Sequence, residues 1–349
     1  MPDTQSFFSN CTDSPKVVVV ILNWNGMRDT LECLASVDVL NYPNYLAVVV
    51  DNGSFDESVE AIRTAYPHIQ IIETGRNLGY AGGNNVGMQW AINQSADYIL
   101  LLNNDTVVDA GLLDEYVKCA ENRLDGALFS AKIFYFNRPT VLWNAGSDWL
   151  PLQGCHATRG SQKQDDGSFD QVCETAYANG CAFFARADVL REVGFFDESF
   201  FLIYEETDLS YRVKKAGYKI YYVPTAKLWH KVSASLDGDD SPIARYFNAR
   251  NQLLWSRRHL GWLDRLRVYR HVLHRLRSAF FPRFHLGERE GGLPRSVVWG
   301  LSSWWREVMR NLSASGNHAE LMGLRDYFLA RFGDCPQDVR SLPKQVRQR

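Results

Sequence analysis

The nine residues Tyr98-Ile-Leu-Leu-Leu-Asn-Asn-Asp-Thr106 constrain the fold more than any other stretch of this chain. An unbroken apolar run belongs to a strand buried on both faces, the situation of a parallel sheet covered by helices. The run stops at Asn103-Asn104-Asp105, so these polar groups stand at a strand's carboxyl end, where open α/β sheets gather their ligands. A carboxylate there, preceded by two amides, suits a hard divalent cation that shares its other positions with phosphate oxygens. Asn and Asp also end strands as ordinary turn formers, so the motif needs support from the rest of the chain.

The first 110 residues supply it by alternating strands and helices. Residues 17–22 are β-branched and break at Asn23-Trp24-Asn25-Gly26, after which Asp29 is expected to cap a helix over Leu31, Leu34 and Val37. Residues 45–50 form a second strand ending in Asp51-Asn52-Gly53-Ser54, and Asp56 caps the helix beyond. A short strand at 69–72 leads into the glycine-rich loop 75–83, and a helix over 84–92 precedes the strand that ends at Asn103. This repetition predicts a doubly wound α/β sheet, mostly parallel. Further on, residues 153–171 read as an exposed polar excursion, 177–184 as a strand and 187–193 as a helix. An acidic helix runs from 204 and stops near Gly217, 219–223 is a strand, and the pattern from 245 to about 278 is helical.

A net charge of −2 over 349 residues conceals an asymmetry. Residues 1–244 carry 18 Lys and Arg against 32 acids, whereas 245–349 carry 20 against 8. The expected organisation is a disordered segment at 1–15, a catalytic domain at 16–244 and a helical basic region at 245–349. Within the catalytic domain, 16–110 are expected to bind nucleotide. Seven cysteines show no metal-ligand spacing and their odd number suggests no disulfide framework, which fits a reducing cytosol. Residues 1–14 lack the basic start and apolar core of a secretory leader, and the runs at 17–22 and 46–50 fall short of the roughly 20 residues that span a bilayer. A cytoplasmic protein is expected, with the inner face of the cell membrane as a peripheral site; in that setting the sequons at Asn10 and Asn311 carry no meaning.

In a parallel sheet the three polar strand ends converge: Asn23 with Asn25, Asp51 with Asn52, and Asn103, Asn104 and Asp105. Asp51 can accept from a base N–H or a ribose hydroxyl, or simply open a turn. Gly79, Gly82 and Gly83 permit a close backbone approach to phosphate or ribose. Their spacing is not the G-x-G-x-x-G of a dinucleotide fold, which argues against a nicotinamide enzyme. The acidic turn Glu205-Glu206-Thr207-Asp208 is explained in part by the helix dipole. Its aromatic flanks, Phe195, Phe196, Phe200, Phe201 and Tyr204, also suit a general base whose pKa is raised by apolar surroundings. Arg212 orients these acids or approaches phosphate, with a structural ion pair as the plainer role. His230, which follows a strand, either packs or completes a divalent-metal shell with Asp105 and phosphate oxygens.

Taken in order, Val-Val-Ile-Leu-Asn-Trp-Asn-Gly, Val-Val-Asp-Asn-Gly-Ser, Asn-Leu-Gly-Tyr-Ala-Gly-Gly-Asn-Asn and Leu-Leu-Asn-Asn-Asp-Thr resemble the family-2 glycosyltransferases of GT-A fold. Gly-Phe-Phe-Asp-Glu-Ser-Phe-Phe, Glu-Glu-Thr-Asp-Leu-Ser-Tyr-Arg and Trp-His extend the likeness, which covers about residues 17–255 and points to the rhamnosyltransferase-like branch of bacterial surface-polysaccharide synthesis. The resemblance implies inverting transfer of a sugar from a nucleoside diphosphate, dTDP- or UDP-linked, with Mg or Mn as divalent metal, and it implies that 111–244 bind the acceptor. It places Asp51 on the nucleobase or ribose, residues 77–84 (Asn77, Gly79 and Asn84 among them) along the nucleoside, and Asp105 at the end of a DXD-like metal motif. His230 becomes the distal metal ligand and Glu206 the catalytic base, with Glu205 and Asp208 as alternatives. Asn103 departs from the family pattern by standing where the motif has its first Asp.

Trp262, Leu266, Tyr269, Leu273, Leu276 and Phe280 make an apolar stripe among arginines. The stripe packs on the catalytic domain or lies on an anionic membrane that carries a lipid-diphosphate-linked glycan acceptor. Nucleic acid is not expected as a partner, since no recognised motif accompanies the charge. The competing functional class is a nucleotide-sugar-binding regulator without catalysis.

Overall fold

The computed structural model describes residues 14–232, 241–281 and 293–343, with side chains from 301 in the last segment. Residues 1–13, with the Asn10 sequon and Cys11, lie outside it. The strands are β1 (Val17–Asn23), β2 (Tyr45–Asp51), β3 (Gln70–Glu73), β4 (Tyr98–Asn103), β5 (Thr106–Val108), β6 (Gly126–Tyr135), β7 (Arg138–Asn144), β8 (Ser147–Leu150), β9 (Cys155–Thr158), β10 (Cys173–Glu174), β11 (Ala182–Arg186) and β12 (Lys219–His230). The helices are α1 (Met27–Val37), α2 (Ser58–Ala65), α3 (Gly79–Asn93), α4 (Leu112–Asn122), α5 (Ala187–Val193), α6 (Glu205–Lys215), α7 (Pro242–His259), α8 (Trp262–Phe280), α9 (Leu293–Ser313), α10 (Ser315–Phe328) and α11 (Gln337–Arg340).

The main sheet runs β10-β12-β6-β11-β4-β1-β2-β3, with β5 on β12 and β7 on β6. Strands β1 to β4 are parallel to one another, as their unbroken apolar runs require. Val17 to Ile21 are wholly buried: Val17, Val19 and Ile21 face a core under α1 and α4, and Val18 and Val20 a core under α3 and α5. Strand β11 enters antiparallel to both β4 and β6, so the sheet is mixed beyond β4.

Several local expectations shift. Helix α1 begins after Gly26, and Asp29 does not cap it; the carboxylate pairs with Lys231 instead. Asp56 stands one residue outside the N-cap, Glu57, and accepts from the Ser58 N–H at 3.1 Å as a turn ahead of the helix. Helix α3 starts at Gly79, five residues early, so Gly82 and Gly83 are helical and not part of an open loop. A Cβ on Gly83 would strike Leu22, so this glycine lets α3 settle onto β1 and not onto a ligand. Strand β11 begins at Ala182, leaving 177–181 irregular, while β12 continues to His230 through a register shift after Val223 at Pro224. The excursion at 153–171 is anchored: Asp165 and Asp170 both reach the buried Lys132 ammonium of β6, Asp165 at 3.0 Å. The described cysteines are all free.

Helices α7 and α10 pack beside the segment that leads into α6 through Phe200, Tyr204, Leu254, Trp255 and Tyr327. Along α8 the buried seam is Val268, Val272 and Phe280, offset from the expected stripe. Tyr269 and Leu276 pack, whereas Trp262, Leu266 and Leu273 stay exposed. Arg275 points inward to Glu320, and Arg265 donates to the Arg257 and Leu260 carbonyls.

Candidate active site

Backbone pairing joins the two metal-type residues. Strand β5 starts directly after Asp105 and runs antiparallel to the end of β12, with Thr106 opposite His230. The Lys231 N–H donates to the Asp105 carbonyl at 3.0 Å, and His230 Nε2 lies 3.0 Å from Asp105 Oδ1. Both residues are buried, the imidazole against the edge of Trp143, and His230 Nδ1 has no partner within the protein. Asn104 turns inward, donating to Thr30 Oγ1 at 2.9 Å.

The acidic helix is presented by a strained turn. Phe201, Ile203 and Tyr204 adopt φ of 64°, 67° and 84°, conformations that cost a non-glycine residue about 1 kcal/mol or more each. Two buried residues of α7 hold the turn. Arg250 donates to the Phe200 carbonyl at 2.9 Å, and the Asn251 amide reaches the carbonyls of Phe200, Leu202 and Ile203 at 3.0, 2.9 and 2.7 Å. From the other side the Ala81 N–H donates to the Phe201 carbonyl at 3.2 Å. Gly79 is needed here, since its φ is +74° and a Cβ would collide with Phe201.

Glu205 and Glu206 consequently face the same cavity as Asp105 and His230. It holds about 620 Å³, and Asn103, Tyr177, Tyr80 and Asn248 also line it. Burial, and then the charge of Glu206, push Glu205 well above the ordinary carboxylate range. Burial raises Glu206 too, but a hydrogen bond from Glu205 opposes the rise. Of the two, Glu205 is pushed further toward its neutral form, which favours Glu206 as the member that gives up its proton first. Asp208 lies apart from this cavity. Its burial raises the pKa, but the hydrogen bond with His259 at 2.6 Å and the Arg212 guanidinium at 2.8 Å outweigh that and hold it below normal. Arg212 also donates to the Val193 and Phe195 carbonyls, so it has the structural role.

A second cavity, about 170 Å³, adjoins the first at Asn103, Tyr80 and Leu202 and is walled by Trp24, Asn52, Asn77, Gly79, Asn104 and Phe247. Asp51 backs this region without lining it: its carboxylate accepts from Asn23 at 3.1 Å and from the Ser54 N–H at 3.0 Å. Asn25 accepts from the Phe55 N–H, and Asn84 donates to the Tyr80 carbonyl, so neither lines a cavity. Tyr80 falls within the expected stretch 77–84, whereas sequence reasoning missed His156 and Tyr177, and above all Arg340, which arrives from α11, lines the smaller cavity and lies 5.8 Å over the Trp24 ring. No local signal marked Arg340, one basic residue among many.

Residues 17–194, just over half of the chain, match the family described as glycosyl transferase family 2. The chain belongs to this family. Curated relatives of this glycosyltransferase include the N-acetylglucosaminyl-diphospho-decaprenol L-rhamnosyltransferase of Mycobacterium tuberculosis, 25% identical over 259 residues that span 66% of this chain and 80% of the relative. The dTDP-rhamnosyl transferase RfbF of Shigella flexneri is 23% identical over 253 residues, 69% of this chain and 80% of its own. Among solved structures, the mannosyltransferase PcManGT of Pyrobaculum calidifontis, in complex with GDP-Man and Mn2+, superposes with a TM-score of 0.55 at 14% identity. The match covers 92% of this chain and 89% of that one, and establishes the shared GT-A-type fold. The glycosyltransferase thus contains its family's sheet, while α6, His230 and the C-terminal helices lie beyond the matched residues.

Proposed function

We propose that this glycosyltransferase transfers rhamnose, or a similar sugar, from a dTDP- or UDP-linked donor to a lipid-diphosphate-linked glycan. The reaction is an inverting single displacement. The observation that carries the reading is the common cavity of Asp105, His230, Glu205 and Glu206, continuous at Asn103 and Tyr80 with a smaller cavity shaped for a nucleoside. The names of the curated relatives favour rhamnose.

Among the described residues no three His, Cys, Asp or Glu side chains converge as a complete metal site. Asp105 and His230, already in contact and with the imidazole's second nitrogen unpartnered, still fit a cation that takes its remaining ligands from diphosphate oxygens and water. Such an ion, when bound, supplies Lewis-acid charge against the negative charge of the departing diphosphate. The protein does the rest. Glu206 accepts the proton of the acceptor hydroxyl as that oxygen attacks the anomeric carbon opposite the leaving group. Glu205, protonated, steadies the Glu206 carboxylate. Asn103, between the two cavities, offers an amide to ribose or diphosphate.

The lipid-borne acceptor fits the outer face of α8 and α9, where Trp262, Leu266, Leu273, Phe281, Trp305 and Met309 are exposed beside Arg267, Arg270 and Arg277. An open apolar groove of about 480 Å³ between Leu273, Phe280, Phe281, Leu312 and Leu321 lies on this face. No helix among the described residues is long and apolar enough to cross a membrane, so contact would be peripheral, with arginines at anionic headgroups.

Incubation with a panel of dTDP-, UDP- and GDP-linked sugars tests the donor class. Release of nucleoside diphosphate should be greatest with dTDP-rhamnose, stop with a chelator and return with Mn or Mg. Silence with every dTDP- and UDP-linked sugar in the presence of metal and a glycosyl-diphosphate acceptor would refute the reading.

A further inference from the structure

Behind the first turn of α6 lies a cavity that the transfer chemistry leaves unexplained. It holds about 360 Å³ between Trp149, His156, Tyr211 and Trp255, with Lys214 and Lys215 beside it. Aromatic rings form a continuous ladder from the catalytic cavity into this one. Tyr177 stands 4.1 Å from His156, His156 is 4.9 Å from Trp149, and Trp149 is 4.7 Å from Trp255, centroid to centroid. His156 belongs to the walls of both cavities.

Packing accounts for the rings but not for their polar atoms. His156 Nδ1 and Nε2 and Trp255 Nε1 are buried without a partner in the protein, which native structures seldom tolerate. Burial pushes the His156 imidazole down to about 3, so near neutral pH it offers one donor and one acceptor. Lys214 and Lys215 are exposed, and among the described residues neither has an ion-pair partner. A pyranose answers the first set of features, because its C–H face covers an aromatic ring while its hydroxyl edge meets ring nitrogens. The two ammonium groups beside the cavity would attract an anion carried next to that sugar.

We propose that this aromatic cavity is an acceptor subsite and that the acceptor carries an anionic group, phosphate or carboxylate, beside the sugar that rests on Trp149 and Trp255. The assignment rests on the transferase reading, with Glu206 at the reacting hydroxyl. A glycosyl diphosphate and a hexuronate would present the same charge to Lys214 and Lys215.

Isothermal titration of the full-length protein in the presence of dTDP and Mn separates the cases. The probes are an undecyl-diphosphate-linked N-acetylglucosamine, a hexuronate-containing disaccharide and neutral undecyl N-acetylglucosaminide. At least one anionic probe should bind about tenfold or more tightly than the neutral one, and the Lys214→Ser/Lys215→Ser protein should lose that preference. The preferred anionic probe identifies the source of the charge. The double variant's own titration with dTDP reports that its fold is intact. Equal binding of charged and neutral probes, or a preference that survives both substitutions, would overturn the subsite while leaving the transferase reading standing. A wild-type chain that binds neither dTDP nor UDP with metal would instead bring down the transferase reading, and the subsite with it.

Discussion

Glu205 and Glu206 are sequence neighbours that burial shifts to different extents, Glu205 the further. Replacing the carboxylate by its amide, Glu206→Gln, should lower the transfer rate by about 10³-fold while nucleoside diphosphate affinity stays within a few-fold, read by titration alongside turnover. Glu205→Gln addresses stability. Both glutamates have pKa values raised above the ordinary 4.5 by burial. In each, the folded state holds its proton longer than the unfolded state, so their stabilising contribution is complete below that value and is lost as pH rises through the raised one. Removing one of the two acids should shrink this loss. The melting temperature of Glu205→Gln should gain on wild type from pH 5 to pH 9, and a constant difference across that range would contradict the upward shift. Asp208 could not be told from its neighbours in the sequence, because the residue that silences it, His259, is 51 positions away on another helix.

At the scale of elements, the strained turn before α6 depends on a helix that follows it by some fifty residues. Asn251→Asp would set a carboxylate against three carbonyl oxygens, at a cost of about 3 kcal/mol or more. Its expected outcome is a lower melting temperature together with a kcat that falls further than donor affinity, since the turn aims Glu206 and not the nucleotide. Strands β1, β2 and β4 were readable because each is an unbroken apolar run with a polar stop. Strand β12 was readable only to Val223, since Pro224 donates no hydrogen bond and mimics a strand end. The start of α3 was hidden by its glycines, whose function is close packing against Leu22 and Phe201, not flexibility. The seam of α8 was misplaced because Arg265 and Arg275, charged by type, are turned inward.

For the whole molecule, the basic charge of the C-terminal region divides into two populations. Arg245, Arg250 and Arg275 are spent inside the protein on Glu320 and on backbone carbonyls, while Arg267, Arg270 and Arg277 face outward beside exposed leucines and tryptophans. An Arg267/Arg270/Arg277→Glu variant should therefore stay folded and lose flotation with anionic liposomes, an effect that added salt reproduces in wild type; undiminished flotation would exclude the membrane role. The convergence of Asp105 with His230 was foreseeable from their residue types once the strands were placed. The contribution of Arg340 was not, because nothing near it in sequence announces a return to β1. That return orders the enzyme in time. Because Arg340 joins Trp24 at the smaller cavity, a chain emerging from the ribosome can assemble its sheet before that cavity has its full lining, and Cys335 and Val339 reach Phe201 and Phe247 only at the same late stage.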